Sequence, residues 1–259
     1  MSPCEIIADE VYPTPAEGAV VVAEGPLAQS VLIAKADRIY TEALRGAVQT
    51  LVPHATIDCV ARIDDASRCA ATKAYDLIVS GIMLADGDAL DWLAGILDSP
   101  RSPRVMVVTG RRETRVLSAL HDSRAHGVFD SCECGPEELR EALRLVLSGG
   151  MFWSGSARQA LLSDSRSGSE LLRCLTATEQ LVLAVIGDGS DDNEAADRLA
   201  MSSVAVRSHR KRLYAKLNIN HRGQLIRLAM CHGYVRVSGD RVVQPGFGLL
   251  RSRAPRRMR

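Results

Sequence analysis

The residues best suited to chemistry lie in the last quarter of the chain. From Ser203 to Leu217 it carries Arg207, Arg210, Lys211, Arg212 and Lys216 and no acidic residue. Val206, Leu213 and Leu217 recur at helical spacing, so a helix here buries one side and turns Arg207, Ser208 and Lys211 outward. Arg207 and Lys211 are four residues apart and share a face. Guanidinium and ammonium groups donate to O6 and N7 of guanine in the major groove. This face is therefore expected to bind double-stranded DNA, with His209, Arg210, Arg212 and Lys216 beside it. A solvated basic helix shows the same charges, and only further pattern separates the two readings.

A second group has the side chains of a metal site. His121, His126, Cys132 and Cys134 fall within fourteen residues. One residue separates the cysteines where two are usual, the spacing fits no ligand pattern, and no metal is expected. Seven cysteines, an odd number, form no disulfide framework, so reduced thiols and a cytoplasmic location are expected. The chain has no GxxxxGK phosphate loop, HExxH or GxSxG stretch, so neither an enzyme activity nor a cofactor is expected. No apolar run approaches the roughly 18 residues of a membrane span. Residues 1–28 hold no Lys or Arg, so neither membrane insertion nor a secretory signal is expected.

These groups need elements to hold them. A length of 259 residues suits two domains, and a 46% hydrophobic, 24% charged composition is ordinary for folded domains. Residues 1–28 hold five acids, no base and four prolines, and read as a flexible acidic extension. From 29 to 148, short apolar runs alternate with helical stripes. Strands are expected at Val31–Ala34, Thr56–Val60, Leu77–Val79, Val105–Thr109 and Gly127–Phe129, each followed by a helix, the last opening at Pro136. Five βα units require parallel strands with right-handed crossovers. The fold class is thus α/β, a five-stranded doubly wound parallel sheet, with its site in the loops after Ala34, Ser80 and Thr109. Residues 149–172, rich in Gly and Ser, read as a partly flexible linker with a helical turn near Ala157 to Leu162. Residues 173–236 read as a small all-α domain of four helices, and 237–259 as a basic tail. The rear of the chain, 151–259, has eighteen Lys and Arg against nine acids, a balance that suits a polyanion.

Within the all-α stretch, Thr176-Ala177-Thr178-Glu179 is a capping box. A short helix from Asn193, a turn at Met201-Ser202 and the basic helix make a helix-turn-helix. Leu175 to Glu179, Asp188-Gly189, Glu194 to Leu199, Ser202 to His209 and Lys216 to Ile219 together resemble a LuxR/NarL-type DNA-binding domain, without a gap from Leu175 to Val235. The resemblance implies that Asp192 to Lys211 is the helix-turn-helix segment. It implies that Arg207, Ser208 and Lys211 take base-contacting positions and that Arg222 to His232 pairs two subunits. Val204 and Ala205 depart from the basic or hydroxyl pair common there, a weaker grip on phosphates that the basic tail would offset.

The front domain is similar to a response-regulator receiver, and the whole resembles a NarL/FixJ-type response regulator. That resemblance puts the receiver's acidic pair at Lys35 and Ala36, its phosphate-accepting Asp at Gly81, its hydroxyl at Thr109 and its Lys at Ser131 or Cys132. Receiver chemistry needs a carboxylate nucleophile, acids that hold Mg²⁺ and a cation on the transferred group. All but the hydroxyl are missing, so the site is expected not to be phosphorylated in the usual way. Lys35 is expected to stand exposed; paired instead with Asp86 or Asp88, it would lock one conformation. The implied whole is a transcription regulator that binds DNA as a homodimer, with a front domain for dimerisation, a small-molecule ligand or a protein partner. The alternatives are phosphorylation on a displaced Asp86 or Asp88, and a receiver-like adaptor with incidental DNA binding.

Overall fold

The computed structural model describes residues 28–100, 102–167 and 174–254. The acidic extension, apart from Ala28, and the last five residues lie outside them. The chain opens with β1 (Ser30–Ala34), α1 (Arg38–Leu51), β2 (Thr56–Val60), α2 (Ile63–Thr72), β3 (Leu77–Ser80), a small hairpin of β4 (Met83–Leu84) and β5 (Gly87–Asp88), and α3 (Leu90–Leu97). It continues with β6 (Arg104–Thr109), α4 (Thr114–Asp122), β7 (Gly127–Asp130), α5 (Pro136–Leu147), β8 (Phe152–Trp153) and α6 (Gly155–Ser167). The main sheet has the order β2-β1-β3-β6-β7-β8, and every neighbouring pair is parallel. β3 and β7 are buried along their whole length, which is why they read as unbroken apolar runs. Leu44 and Val48 of α1 and Leu143 and Val146 of α5 cover one face. Ala66 of α2, Leu93 of α3, Leu117 of α4 and Ala157 of α6 cover the other. The strand order reverses between β1 and β3, so the loops after Ala34 and Ser80 flank the crevice where such sheets place their sites.

Two boundaries differ from the sequence expectation. The sheet has six strands, because Phe152 and Trp153, inside the stretch read as a linker, pair with Gly127 and Val128. Trp153 is buried in the sheet core and α6 packs on α4. Two residues among glycines and serines are too few to show strand alternation. Residues 237–254 of the segment read as a basic tail are also folded. β9 (Arg236–Ser238) and β10 (Arg241–Val243) form an antiparallel hairpin, and α11 (Phe247–Arg253) follows.

Between them lie the four expected helices, α7 (Ala177–Gly187), α8 (Asp192–Leu199), α9 (Ser203–Leu217) and α10 (Arg222–Cys231). The capping box forms: Thr176 N donates to Glu179 Oε2 at 2.8 Å, and Glu179 N to Thr176 Oγ1 at 3.3 Å. Leu181, Val185, Leu199, Val206, Leu213, Leu217 and Leu225 close one core. Among the described residues no helix is long and apolar enough to cross a membrane.

Candidate nucleic-acid interface

The two helices of the helix-turn-helix are set by their caps. Asp191 accepts from Asn193 N at 2.7 Å and Glu194 N at 2.9 Å, which starts α8. Ala200 ends it in the left-handed region, φ 53°, a conformation more often given to glycine. Ser202 then accepts from Ala205 N at 3.1 Å and starts α9. With so short a turn, α9 must bury Val206, Leu213 and Leu217 and face solvent with the opposite side.

The seven basic-helix candidates divide. Arg207, Lys211 and Arg212 are exposed and Ser208 is half-buried beside them, taking a hydrogen bond from Arg212 at 3.2 Å. Val204, 73% exposed in the first turn, lies three and four residues before Arg207 and Ser208 and extends the same face. Arg210 instead grips Asp192 with two bonds of 2.9 and 2.8 Å and fastens α9 to α8. Lys216 donates to Glu179 at 2.7 Å and to the Cys174 carbonyl at 2.8 Å, fastening α9 near α7. His209 is half-buried, Nδ1 has no partner, and burial holds the imidazole below its ordinary range. So Arg210, Lys216 and His209, expected at the DNA face, turn toward the protein. Sequence spacing could not show the acids that claim the first two. The Arg210 bonds hold the Asp192 carboxyl below the usual carboxylate range. Burial would raise Glu179, but the bonds from Lys216 and Thr176 outweigh it and hold it low as well.

At the sheet edge, the Lys35 side chain crosses the place where a side chain at position 81 would begin. A Cβ on Gly81 would sit 3.0 Å from Lys35 Cδ. Lys35 Nζ donates to the Val108 carbonyl at 3.0 Å and lies over the Tyr40 ring. Thr109 is buried, and its hydroxyl accepts from Arg111 N at 3.0 Å. Ala36 is exposed, Ser131 half-buried and Cys132 exposed. Magnesium demands oxygen ligands in octahedral geometry; an ammonium group, an alanine and a glycine do not fit it. Nor does Lys35 pair with the nearby acids. Asp86 accepts from Ile63 N at 2.7 Å and Asp64 N at 3.1 Å at the start of α2, and Asp88 accepts from Leu90 N at 3.0 Å. Of the zinc-type group, His126 Nδ1 accepts from Val105 N at 3.1 Å. Among the described residues no three His, Cys, Asp or Glu are placed to hold a metal ion.

A third site, the junction between the two domains, was not expected from the sequence. The segment after α10 folds back onto α3 and α4 and joins the two domains. Arg236, 5% exposed, reaches Asp88 and Glu113, each at 3.3 Å. Burial pushes the Asp88 carboxyl up and the Arg236 guanidinium down, so each group gives up hydration at the junction. Arg115 lies over the Tyr234 ring and donates to the carbonyls of Gly233, Pro245 and Gly246. Gly233 and Gly246 have φ of 76° and 58°, and a Cβ on either would come within 2.9 Å of Glu113 or Leu90, so the junction admits no side chain there. Asp91 of α3 accepts from Gly248 N and Leu249 N, both at 2.9 Å, and so caps a helix that has no capping side chain of its own. The signal available in the sequence was the second run of turn residues at Gly239, Pro245 and Gly246, which marks a folded hairpin better than a tail.

With this geometry in place, known proteins can be compared. Residues 173–229 match the luxR family of bacterial regulatory proteins (GerE). That match spans 57 residues of the helical domain, which is similar to the luxR family there. With the parallel-sheet domain ahead of it, the domain order is similar to that of a response regulator with a luxR-type helix-turn-helix domain. The transcriptional regulatory protein MctR of Rhizobium johnstonii is 31% identical over 134 residues, 48% of this chain and 61% of MctR. The response regulator UvrY of Escherichia coli is 26% identical over 173 residues, 66% of this chain and 79% of UvrY. In fold, RcsB from Salmonella enterica serovar Typhimurium superposes with a TM-score of 0.54 at 19% identity, over 78% of this chain and 98% of RcsB.

Proposed function

We propose that the LuxR-type domain reads double-stranded DNA through the outer face of α9, as a homodimer, and that the sheet domain controls this without accepting a phosphoryl group. The observation that carries the reading is the division of the basic helix. Arg207 and Lys211 are exposed and Ser208 half-buried on one face, with Arg207 Nε 3.6 Å from Asp192, while Arg210 and Lys216 brace that face from behind. A fixed α-helix with such a face fits the major groove, and Val204 adds an apolar surface suited to a thymine methyl. Pairing of subunits is assigned to α10, where Met230 is exposed. RcsB, alike in fold, has been determined as two dimers bound to two parallel DNAs. Control without phosphorylation is supported by Gly81, Lys35 and Ala36 and by the engagement of Asp86 and Asp88 elsewhere. The sheet domain then acts as a dimerisation, ligand or partner module in the cytoplasm.

The test is binding-site selection from random DNA, followed by Arg207→Ala and Lys211→Ala. Each substitution should lower discrimination between selected and scrambled DNA by about 1–3 kcal/mol and leave thermal stability nearly unchanged. Equal affinity for the two DNAs before substitution would support the adaptor reading instead.

A further inference from the structure

The segments after β1, β3 and β6 border an open pocket of about 270 Å³ lined by Lys35, Ile82, Met83, Thr109, Gly110 and Arg111. Its charged side chains are both cations. Lys35 Nζ carries three protons and uses one on the Val108 carbonyl. Among the described residues no carboxylate forms an ion pair with it. Asp37, whose charge acts on it from further off, turns its carboxylate to Ile39 N and Tyr40 N. The Thr109 oxygen accepts from Arg111 N, which leaves its own proton to donate. Arg111 stands 45% exposed at the rim, its Nη1 3.6 Å from Glu113 Oε1. Gly81 projects nothing into this space, and a Cβ there would already be 3.3 Å from Lys35 Nζ.

A half-buried ammonium group held by a carbonyl oxygen and an aromatic face, with no ion pair among the described residues, recovers only part of the hydration it gives up. Burial accordingly holds Lys35 below the ordinary lysine range, and a bound anion would reverse that shift. We propose that this pocket is a non-covalent site for a small anion bearing a phosphate or carboxylate group, held by Lys35, Thr109 and Arg111. Its volume is below the roughly 300–1,000 Å³ of pockets that enclose a drug-sized ligand, so the occupant is a small anion or the anionic head of a larger molecule. The proposal rests on the reading that the sheet domain takes no phosphoryl group. It turns that reading from a loss into a change of ligand: charge of one sign has replaced charge of the other at the same sheet edge.

The test is a titration of the full chain with inorganic phosphate and, separately, with acetate, followed by amide NMR shifts at Lys35, Gly81, Thr109 and Gly110. It is run in the Arg207→Ala, Lys211→Ala background to suppress binding at α9. Saturable shifts with at least one anion are expected, and which anion binds tighter identifies the head group. Lys35→Met should weaken that binding about tenfold or more, as one charge-assisted bond disappears. If Lys35→Met does not fold, Gly81→Asp replaces it: an internal carboxylate beside Lys35 should fill the site and abolish the shifts. No saturable shift with either anion, or shifts that persist after the substitution, would overturn the proposal. A covalent adduct formed with acetyl phosphate would instead sink the phosphorylation-independent reading, while free phosphate, which transfers nothing, still reports on this site.

Discussion

The loops after β1 and β3 carry Lys35, Ala36 and Gly81, with no carboxylate left at the positions where the receiver resemblance expects acids. Further along the chain, Asp88, Asp91 and Glu113 are each engaged by the segment 236–249. Both sets lie on loops or short elements at one sheet edge, so burial and backbone geometry alone do not separate them. What differs is the partner. An acid is stable in a half-buried loop only with a cation, a metal or backbone N–H groups to answer it. The first set holds no acid, and its one charge is the Lys35 ammonium, bonded to the Val108 carbonyl. The second has an arginine and a helix N-terminus supplied from more than a hundred residues away. Charge at this edge therefore follows what docks there, a small anion in one place and the helical domain in the other.

The strongest way to break the comparison is Arg236→Ala. It leaves Asp88 and Glu113 at the junction without their guanidinium, and removing one partner of a buried pair typically costs about 3–5 kcal/mol. Urea unfolding should show a loss of that size together with a scattering profile that broadens as the domains part. A loss below about 1 kcal/mol would reduce the junction to the level of a surface ion pair.

Next comes Asp192, which locks α8 to α9 through Arg210. Asp192→Ala should cost about 1.5–3 kcal/mol, the range for hydrogen bonds to charged groups. The carboxyl is held below its ordinary range in the fold. Its contribution is thus complete above the unfolded carboxylate pKa and drains as pH falls through the lower, folded value. Urea midpoints measured from neutral into acid should fall more steeply for the wild type than for Asp192→Ala, and parallel curves would deny Asp192 this part.

A smaller effect concerns residues 255–259, with Arg256, Arg257 and Arg259. Their deletion should lower affinity for target and scrambled DNA alike. It should also flatten the salt dependence by about one unit for each phosphate that an arginine no longer neutralises. An unchanged slope would assign the whole C-terminal segment to the junction. The smallest expected effect is none: incubation with acetyl phosphate should add no mass and leave DNA affinity unchanged, because Gly81 offers no nucleophile. A single base-labile phosphoryl adduct, abolished by Asp86→Ala or Asp88→Ala, would restore a displaced acceptor and erase the contrast between the two sets.

Much of this was legible in the sequence for definite reasons. Buried parallel strands such as Leu77–Ser80 are plain apolar runs, and Thr176–Glu179 announces a helix start by residue type alone. The outward face of α9 followed from the spacing of Val206, Leu213 and Leu217. The inward turn of Arg210 did not, because Asp192 lies eighteen residues away on another helix. Arg236 gave no sign at all: a lone arginine in a short polar strand reads as surface, and Asp88, 148 residues earlier, is what buries it. β8 escaped for the opposite reason, being too short for any period to show.

The Asp91 cap on α11 has a consequence for assembly. Residues 168–173 already join the two domains, so the junction closes within one molecule. A short covalent connection presents the second surface at an effective concentration of about millimolar order, and modest interactions then suffice to keep it shut. Supplied as a separate chain, the helical domain would have to reach such concentrations to dock on the same face. Cleavage between 167 and 174 would consequently convert a first-order closure into a dilution-sensitive equilibrium, with every bond of the junction still available to be made.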